Sequence, residues 1–483
     1  MAYNHGVRVL ENPTSLVAPV QGTAGLQVII GVAPVNLAKD PYNATNRPLI
    51  AYSFAEASAA VGYCDNFKDY NICEGIDASF RVMNVAPIVI INVLDPNQHK
   101  IALEEKEYEV TEGQAVVNTF GVLADKLVVK NGDVTLTAET DYVVTFDDDG
   151  YAVVTLVTPG NITALNISGA VIDPSQITYE DIIGGYNVST GEEKGLEVIR
   201  QVFPLLQLTP GLIVCPGWSK NANVGAAIAA KCEGINGVFR CEAIVDLDTG
   251  EGKARKYTDV LTTKQASGFT SKHLSVEWPC VKVGEKIYHA SAIKAAITAY
   301  TDATNDDVPN LSPSNKAVGI SGLCLEDGTE VILDEQQANL VNSYGVNTFN
   351  NFNGWTTWGS NTAAYPVVTD PKDRWFNCRR FFSWWGNSFI LTYHTEVDDP
   401  NDPRQVESVV DAENVRGNSY SAQGKCAGAY IEYRAEDNTA TDIMNGSAKF
   451  LTHLAPYPPM EDICDVLEFD PALLEAVFTG GEA

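Results

Sequence analysis

Two continuous β-branched runs, LQVIIGV at 26–32 and IVIINVL at 88–94, constrain the fold most. Neither alternates with polar residues, so both faces of each strand must be covered, as in a parallel sheet between helix layers. Helix-like stretches at 54–61 and 76–85 lie between them. Strand, helix, strand is the crossover unit of an α/β fold. The rhythm resumes after Pro174, with strands expected at 211–215 and 243–246 and helices at 192–203, 225–232 and 289–302.

The interval between these halves has another character. Residues 101–175 hold 13 acids against 3 lysines, with runs DKLVVK, DYVVTFD and YAVVTLV separated by the turn signals NGD and DDDG. That spacing predicts a small all-β domain of hairpins, inserted at an exposed loop of the α/β chain. Beyond Asn339 the chain becomes aromatic and loop-rich, with strands expected at 427–434, a helix near 442–451 and a PYPP turn. The expected organisation is a multidomain α/β protein. It comprises an N-terminal arm (1–22), an α/β core (23–96 with 175–345), an inserted acidic β domain (97–174), a C-terminal α+β domain (346–462) and a C-terminal arm (463–483).

Charge narrows the partners. Lys+Arg 32 against Asp+Glu 62 leaves −30, which repels nucleic acid phosphates and anionic lipid heads. No nucleic acid or membrane partner is expected. The start, MAYNHGVRVLENP, lacks the basic and apolar regions of a secretory signal, so a cytoplasmic setting is expected. The strongest apolar run, at 85–94, is far shorter than the roughly 20 residues that span a bilayer. Ten cysteines are scattered without a CxxC pair, which reads as free thiols in a reduced compartment.

Catalytic patterns are missing. The six histidines lie near no GxSxG elbow, and Gly319-Ile-Ser-Gly is one residue short of it. There is no HExxH and no zinc-like His/Cys spacing. The loop Asp246-Leu-Asp248-Thr-Gly250-Glu251 gathers carboxylates without the regular twelve-residue calcium pattern. Gly184-Gly-Tyr-Asn-Val-Ser-Thr-Gly lacks the Lys-Ser/Thr of a phosphate loop and reads as a turn. No cofactor, no metal and no enzymatic activity are expected.

Several segments together resemble the sheath protein of contractile phage tails and tail-like particles. HGVRVLENPTSLVAPVQGTAGLQVIIGVAPVN (5–36) is similar to the family's G-V-x-V-x-E arm, Pro-containing lead and strand ending in G-x-A. SFAEASAAVG (53–62) and IVIINVL follow in the family's order. YGVNTFNNFNGWTTWGSNT (344–362) resembles its G-[VI]-N segment with Gly-Trp and WG-x-x-T, WFNCRRFF (375–382) its Arg-Arg segment, and FLTHLAPYPPMEDICDVLEF (450–469) its closing P-x-P-x-E-x-I strand. The departure lies at WPCVKV (278–283) and LSPSNKAVGISG (311–322), where sheaths often show PPS-x-x-x-A-G and this chain has Leu311 and Ser312.

The resemblance implies a structural protein that polymerises as stacked, hexameric rings around an inner tail tube. It implies contact with baseplate and tail terminator proteins, assembly in the bacterial host cytoplasm, and contraction without ATP. It implies further that both terminal arms lend strands to neighbouring copies. Val7, Arg8, Val9 and Leu10 would form the N-terminal donor; Ile463, Leu467 and Phe469, with Asp465, would form the C-terminal one. The charged helix at 404–415, through Arg404, Glu407, Asp411 and Glu413, would face the tube. Two other classes stay open, an α/β hydrolase-like enzyme and a surface-layer or adhesin protein.

Overall fold

The computed structural model describes residues 20–479. Its centre is a six-stranded sheet in the order Leu274–Glu277, Glu242–Asp246, Leu212–Val214, Gln27–Gly31, Ile88–Asn92 and Leu49–Ala51. The first five strands are parallel and the last is an antiparallel edge. The chain enters in the middle, winds to one edge and then to the other. This doubly wound topology explains the unbroken apolar runs: Val28, Ile30, Val89 and Ile91 enter one core, while Ile29, Ile88 and Ile90 pack with Ile72 and Ile76 on the opposite face.

The helix Ala290–Ala303 runs through the interior, with twelve of its fourteen residues buried. Its alanines allow close approach, and its buried polar side chains are matched. Lys294 donates to the Pro313 and Gly359 carbonyls at 3.1 and 3.2 Å, Thr298 and Thr301 bond back to their own helix, and Asp302 pairs with Arg380. Buried charge held in this way is costly to break.

Residues 100–172 form two sheets, Tyr142–Phe146 with Tyr151–Leu156 and Gln114–Phe120, and Lys100–Glu109 with Ala164–Ile172, Val128–Asn131 and Val134–Thr135. They enclose an apolar cluster of their own, including Val117, Val129, Val154 and Ile167. Lys100 and Ile172 pair across the neck. The insertion also touches the main body: Leu123 and Ile172 belong to the central core, Phe120 lies 5.6 Å from the Tyr70 ring, and Tyr42 donates to Asp125.

Three local expectations change. In place of a helix over 192–203 there is a strand pair, Gly185–Tyr186 with Glu193–Lys194, then a 3-10 segment Gly195–Gln201 and a short helix Val202–Leu206. Gly195 causes this, since its φ is +59° and a side chain there would strike the Ile182 carbonyl. The helix near 442–451 shrinks to Ala440–Met444, ended by Gly446 at φ +74°, and Leu451–Ala455 is a strand. The boundary near 345 falls inside a packed unit. Val346, Phe349 and Ala363 share the central core, and the Lys264 ammonium, its pKa lowered to about 8 by burial, donates to the carbonyls of Tyr344, Ala363 and Tyr365. The helix Phe376–Tyr393 spans the change: Phe376 lies under the sheet, while Phe381 and Trp385 join Val308, Cys426 and Ala429 in a separate cluster.

Candidate intersubunit site

The last structured unit is small. A twenty-residue helix, Pro403–Ala422, starts at Asp402, whose carboxylate accepts from the amides of Arg404 and Gln405 at 2.8 and 2.9 Å. It packs on the hairpin Gly428–Glu432/Leu451–Ala455. Contact is close because position 417 is glycine: a Cβ there would sit 2.2 Å from the Ala429 carbonyl oxygen.

The hairpin's two outer edges differ. On the first strand the Asn414 amide accepts from the Ile431 N–H at 2.9 Å and donates to the Ile431 carbonyl at 3.1 Å. Ile431 therefore points its backbone away from the partner strand, and the helix occupies that edge. The antiparallel register pairs Ile431 with Thr452 and Ala429 with Leu454. Thr452 and Leu454 must then aim their own N–H and C=O groups outward as well. Among the described residues no strand pairs with that second edge, and no hydrogen bond to the Thr452 or Leu454 backbone is made there. Tyr430 and His453 stack beside it, ring centroids 4.4 Å apart.

The chain leaves this edge at Ala455 and is fastened twice. Asn377 donates to the Tyr457 carbonyl at 3.3 Å, and Arg374 pairs with Glu461 at 2.5 Å. Beyond Glu461, residues 462–470 are all exposed. Ile463, Leu467 and Phe469 are 76–89% exposed, and Asp465 is exposed with them. The final described element is a helix, Pro471–Thr479, and not a continuation of the extended arm. Val7, Arg8, Val9 and Leu10 lie outside the described residues.

Of the four residues expected on the tube-facing surface, Arg404, Glu407 and Asp411 share the exposed side of the helix. Glu413 does not. Nine residues from Arg404, it sits half a turn away, 4% exposed, bonded by Arg416 at 3.1 Å and by the Tyr393 hydroxyl at 3.3 Å. Burial first, and then the Glu413 charge, push the Tyr393 phenol up to about 12. Arg416 in turn covers the Trp385 ring at 4.1 Å, so the late tryptophans at 384 and 385 are packing residues.

Places where this topology usually carries chemistry are occupied by the chain itself. At the strand-order reversal between Gln27–Gly31 and Leu212–Val214, the Asn71 amide accepts from the Val32 N–H and Trp218 Nε1 and donates to the Pro216 carbonyl. That plugs the crevice in which doubly wound sheets bind nucleotides. Asp246 is bonded by Ser219, by the Ser291 amide and hydroxyl, and by the Gly217 amide, which spends its carboxylate on joining the 217–219 turn to the first turn of the helix Ala290–Ala303. Ser321, the serine of the near-elbow, donates to the Lys282 carbonyl. A charged cleft of about 930 Å³ borders His289, Glu74 and Glu326. There Glu74 lies 3.0 Å from Nδ1 and Glu326 lies 3.5 Å from Nε2 of the ring. Burial opposes charge on this imidazole, yet the two carboxylates hold its pKa well above the ordinary histidine value. The His289 bond in turn lowers Glu326 to about 2. No helix among the described residues is long and apolar enough to cross a membrane.

The tail sheath protein of Burkholderia phage BcepMu is 25% identical over 479 residues, covering 95% of both chains. Over nearly its whole length the chain is similar to the sheath proteins of contractile phage tails. The tail sheath protein of Escherichia phage P2 is 22% identical over 292 residues, 59% of this chain and 69% of that one. No protein-family model matches. Among solved structures, the anti-feeding prophage baseplate, 6-fold symmetrised, aligns over 97% of this chain and 100% of its own at TM-score 0.58 and 15% identity. The contracted PVC sheath complex of an extracellular contractile injection system aligns over 98% and 99% with the same score and identity. These share the fold of this chain, a mixed helix and strand architecture of several sheets. A hydrolase reading is not favoured.

Proposed function

We propose that this chain is the structural subunit of a contractile sheath, polymerising as stacked hexameric rings around an inner tube, with a mechanical role and no catalytic one. The carrying observation is an open strand edge and an exposed apolar segment in one chain. Among the described residues, Leu451–Ala455 has an unpaired outer edge, and 462–470, rich in exposed apolar side chains, pairs with no strand. Matched donor and acceptor on identical subunits make head-to-tail contacts that do not close, which is how a helical lattice grows. One donated strand is weak, and repetition along a lattice makes it strong.

Baseplate and terminator proteins would cap such a polymer, and assembly would take place in the bacterial host cytoplasm. The exposed row of Arg404, Glu407 and Asp411 is the candidate tube-facing surface, without Glu413. Electron microscopy of the purified chain should show rings or tubes, and deletion of residues 1–19 should leave a folded monomer that does not polymerise. Normal tubes from that truncation would remove the N-terminal arm from the lattice. Absence of any ring or tube from the intact chain, with or without a tube protein, would refute the sheath reading.

A further inference from the structure

We propose that the helix Pro471–Thr479 is a second, separate anchor that docks on another copy of this chain, beyond the strand that 463–469 would donate. The inference rests on the sheath reading.

A helix of nine residues is marginal in water without packing. This one has a cap, since the Asp470 carboxylate accepts from the Ala472 amide at 2.9 Å, and Pro471 at its first position. It also has a face. Leu473 and Leu474 stand one turn before Val477 and Phe478, so two i, i+4 pairs make a single apolar patch. Leu473, Val477 and Phe478 are 71–81% exposed, so the chain's own body does not cover them.

The occupant follows from reach, charge and continuity. From Glu461, where Arg374 holds the arm, nine residues lead to Pro471. Extended, they span about 30 Å, while a chain of this length has a radius of gyration of roughly 23 Å. That reach is long enough to set the helix on a neighbouring copy. After Lys449 the sequence holds no Lys or Arg, and Glu461, Asp462, Asp465, Glu468, Asp470 and Glu475 surround the apolar positions. Such a segment is repelled by phosphates and anionic lipids. It is also continuous with the arm that the open edge of Leu451–Ala455 would receive from another copy.

The test compares the intact chain, a chain ending at Asp470, and the full-length double variant Leu473→Glu/Phe478→Glu. Critical concentration for polymer is measured by sedimentation and microscopy, and monomer melting by calorimetry. Both altered chains should melt as the intact monomer does and need at least tenfold more protein to polymerise, or fail to polymerise. An unchanged critical concentration, with polymer lost only when the chain is cut at 462, would overturn the helical anchor and leave the sheath reading standing. A lowered monomer melting temperature would overturn it in favour of docking on the chain's own body. Binding of the intact chain, but not of the double variant, to phosphatidylglycerol vesicles would overturn it in favour of a lipid surface. Failure of the intact chain to polymerise would overturn the sheath reading and the anchor together.

Discussion

Thr452→Pro isolates the open edge, because it alters the backbone that faces outward and spares the ladder that faces inward. Thr452 stands opposite Ile431, whose N–H and C=O are taken by Asn414 on the far side, so the Thr452 N–H has no role in its own hairpin. Proline is tolerated on edge strands at such positions. An incoming strand would bond the N–H and C=O of Thr452 and Leu454, four bonds of about 1 kcal/mol net each. Proline deletes one donor and leaves the partner's carbonyl unsatisfied, a combined loss of about 2–4 kcal/mol per contact. That weakens each junction roughly 30- to 1,000-fold, and a lattice multiplies the effect. Circular dichroism and calorimetry should show a folded monomer near the parent melting temperature, while sedimentation and negative-stain microscopy should show no tubes at concentrations where the parent forms them. His453→Pro is the contrast, since its N–H faces Tyr430 within the ladder, and it should destabilise the hairpin itself. Normal polymer from Thr452→Pro would refute the edge-pairing argument.

Other perturbations probe the frame that holds this edge. Arg380→Ala strands a fully buried Asp302 and should cost about 3–5 kcal/mol in urea unfolding; Arg380→Met with Asp302→Leu should recover most of it. Joining Lys100 to Ile172 through a short Gly/Ser linker should leave a chain that still polymerises, destabilised by about 3 kcal/mol because Leu123 leaves the central core; loss of polymer from a folded product would place the insertion in the lattice. Because Glu74 and Glu326 raise the His289 pKa above its unfolded value, that stabilisation is complete below about pH 6.5 and is lost as pH rises through the folded value. Burial raises Glu74 as well, with the same sign but in a window that opens at its unfolded value near 4.5, while the lowered Glu326 acts in the opposite sense below that value. Melting temperature should therefore fall on the alkaline side of neutrality, and the slope should flatten in His289→Gln.

What the sequence could disclose depended on how locally each feature is determined. The central strands were legible because burial on both faces leaves no choice of residue at 26–32 and 88–94, and the insertion because its turns and charges recur at short intervals. The misplaced helix over 192–203 has apolar periodicity as a helix would, but a single left-handed glycine at 195 overrides it. Residue 345 looked like a boundary because composition changes there, whereas packing is decided by contacts such as Lys264 with Tyr344 and Ala363, which composition does not register. Glu413 was grouped with Arg404, Glu407 and Asp411 by charge, although helical spacing already sets it on the opposite face; its partners Arg416 and Tyr393 lie on two different helices. The open edge was the least visible feature, since strand 451–455 is no more polar or apolar for having one free side. What closes the other side is Asn414, an ordinary polar residue on an exposed-looking helix, and only its pairing with Ile431 shows that the hairpin has one edge left to give. On the proposed reading this asymmetry would make the hairpin a directional acceptor, because a subunit that accepted a strand on one edge and donated one from its ends would add neighbours in one sense only.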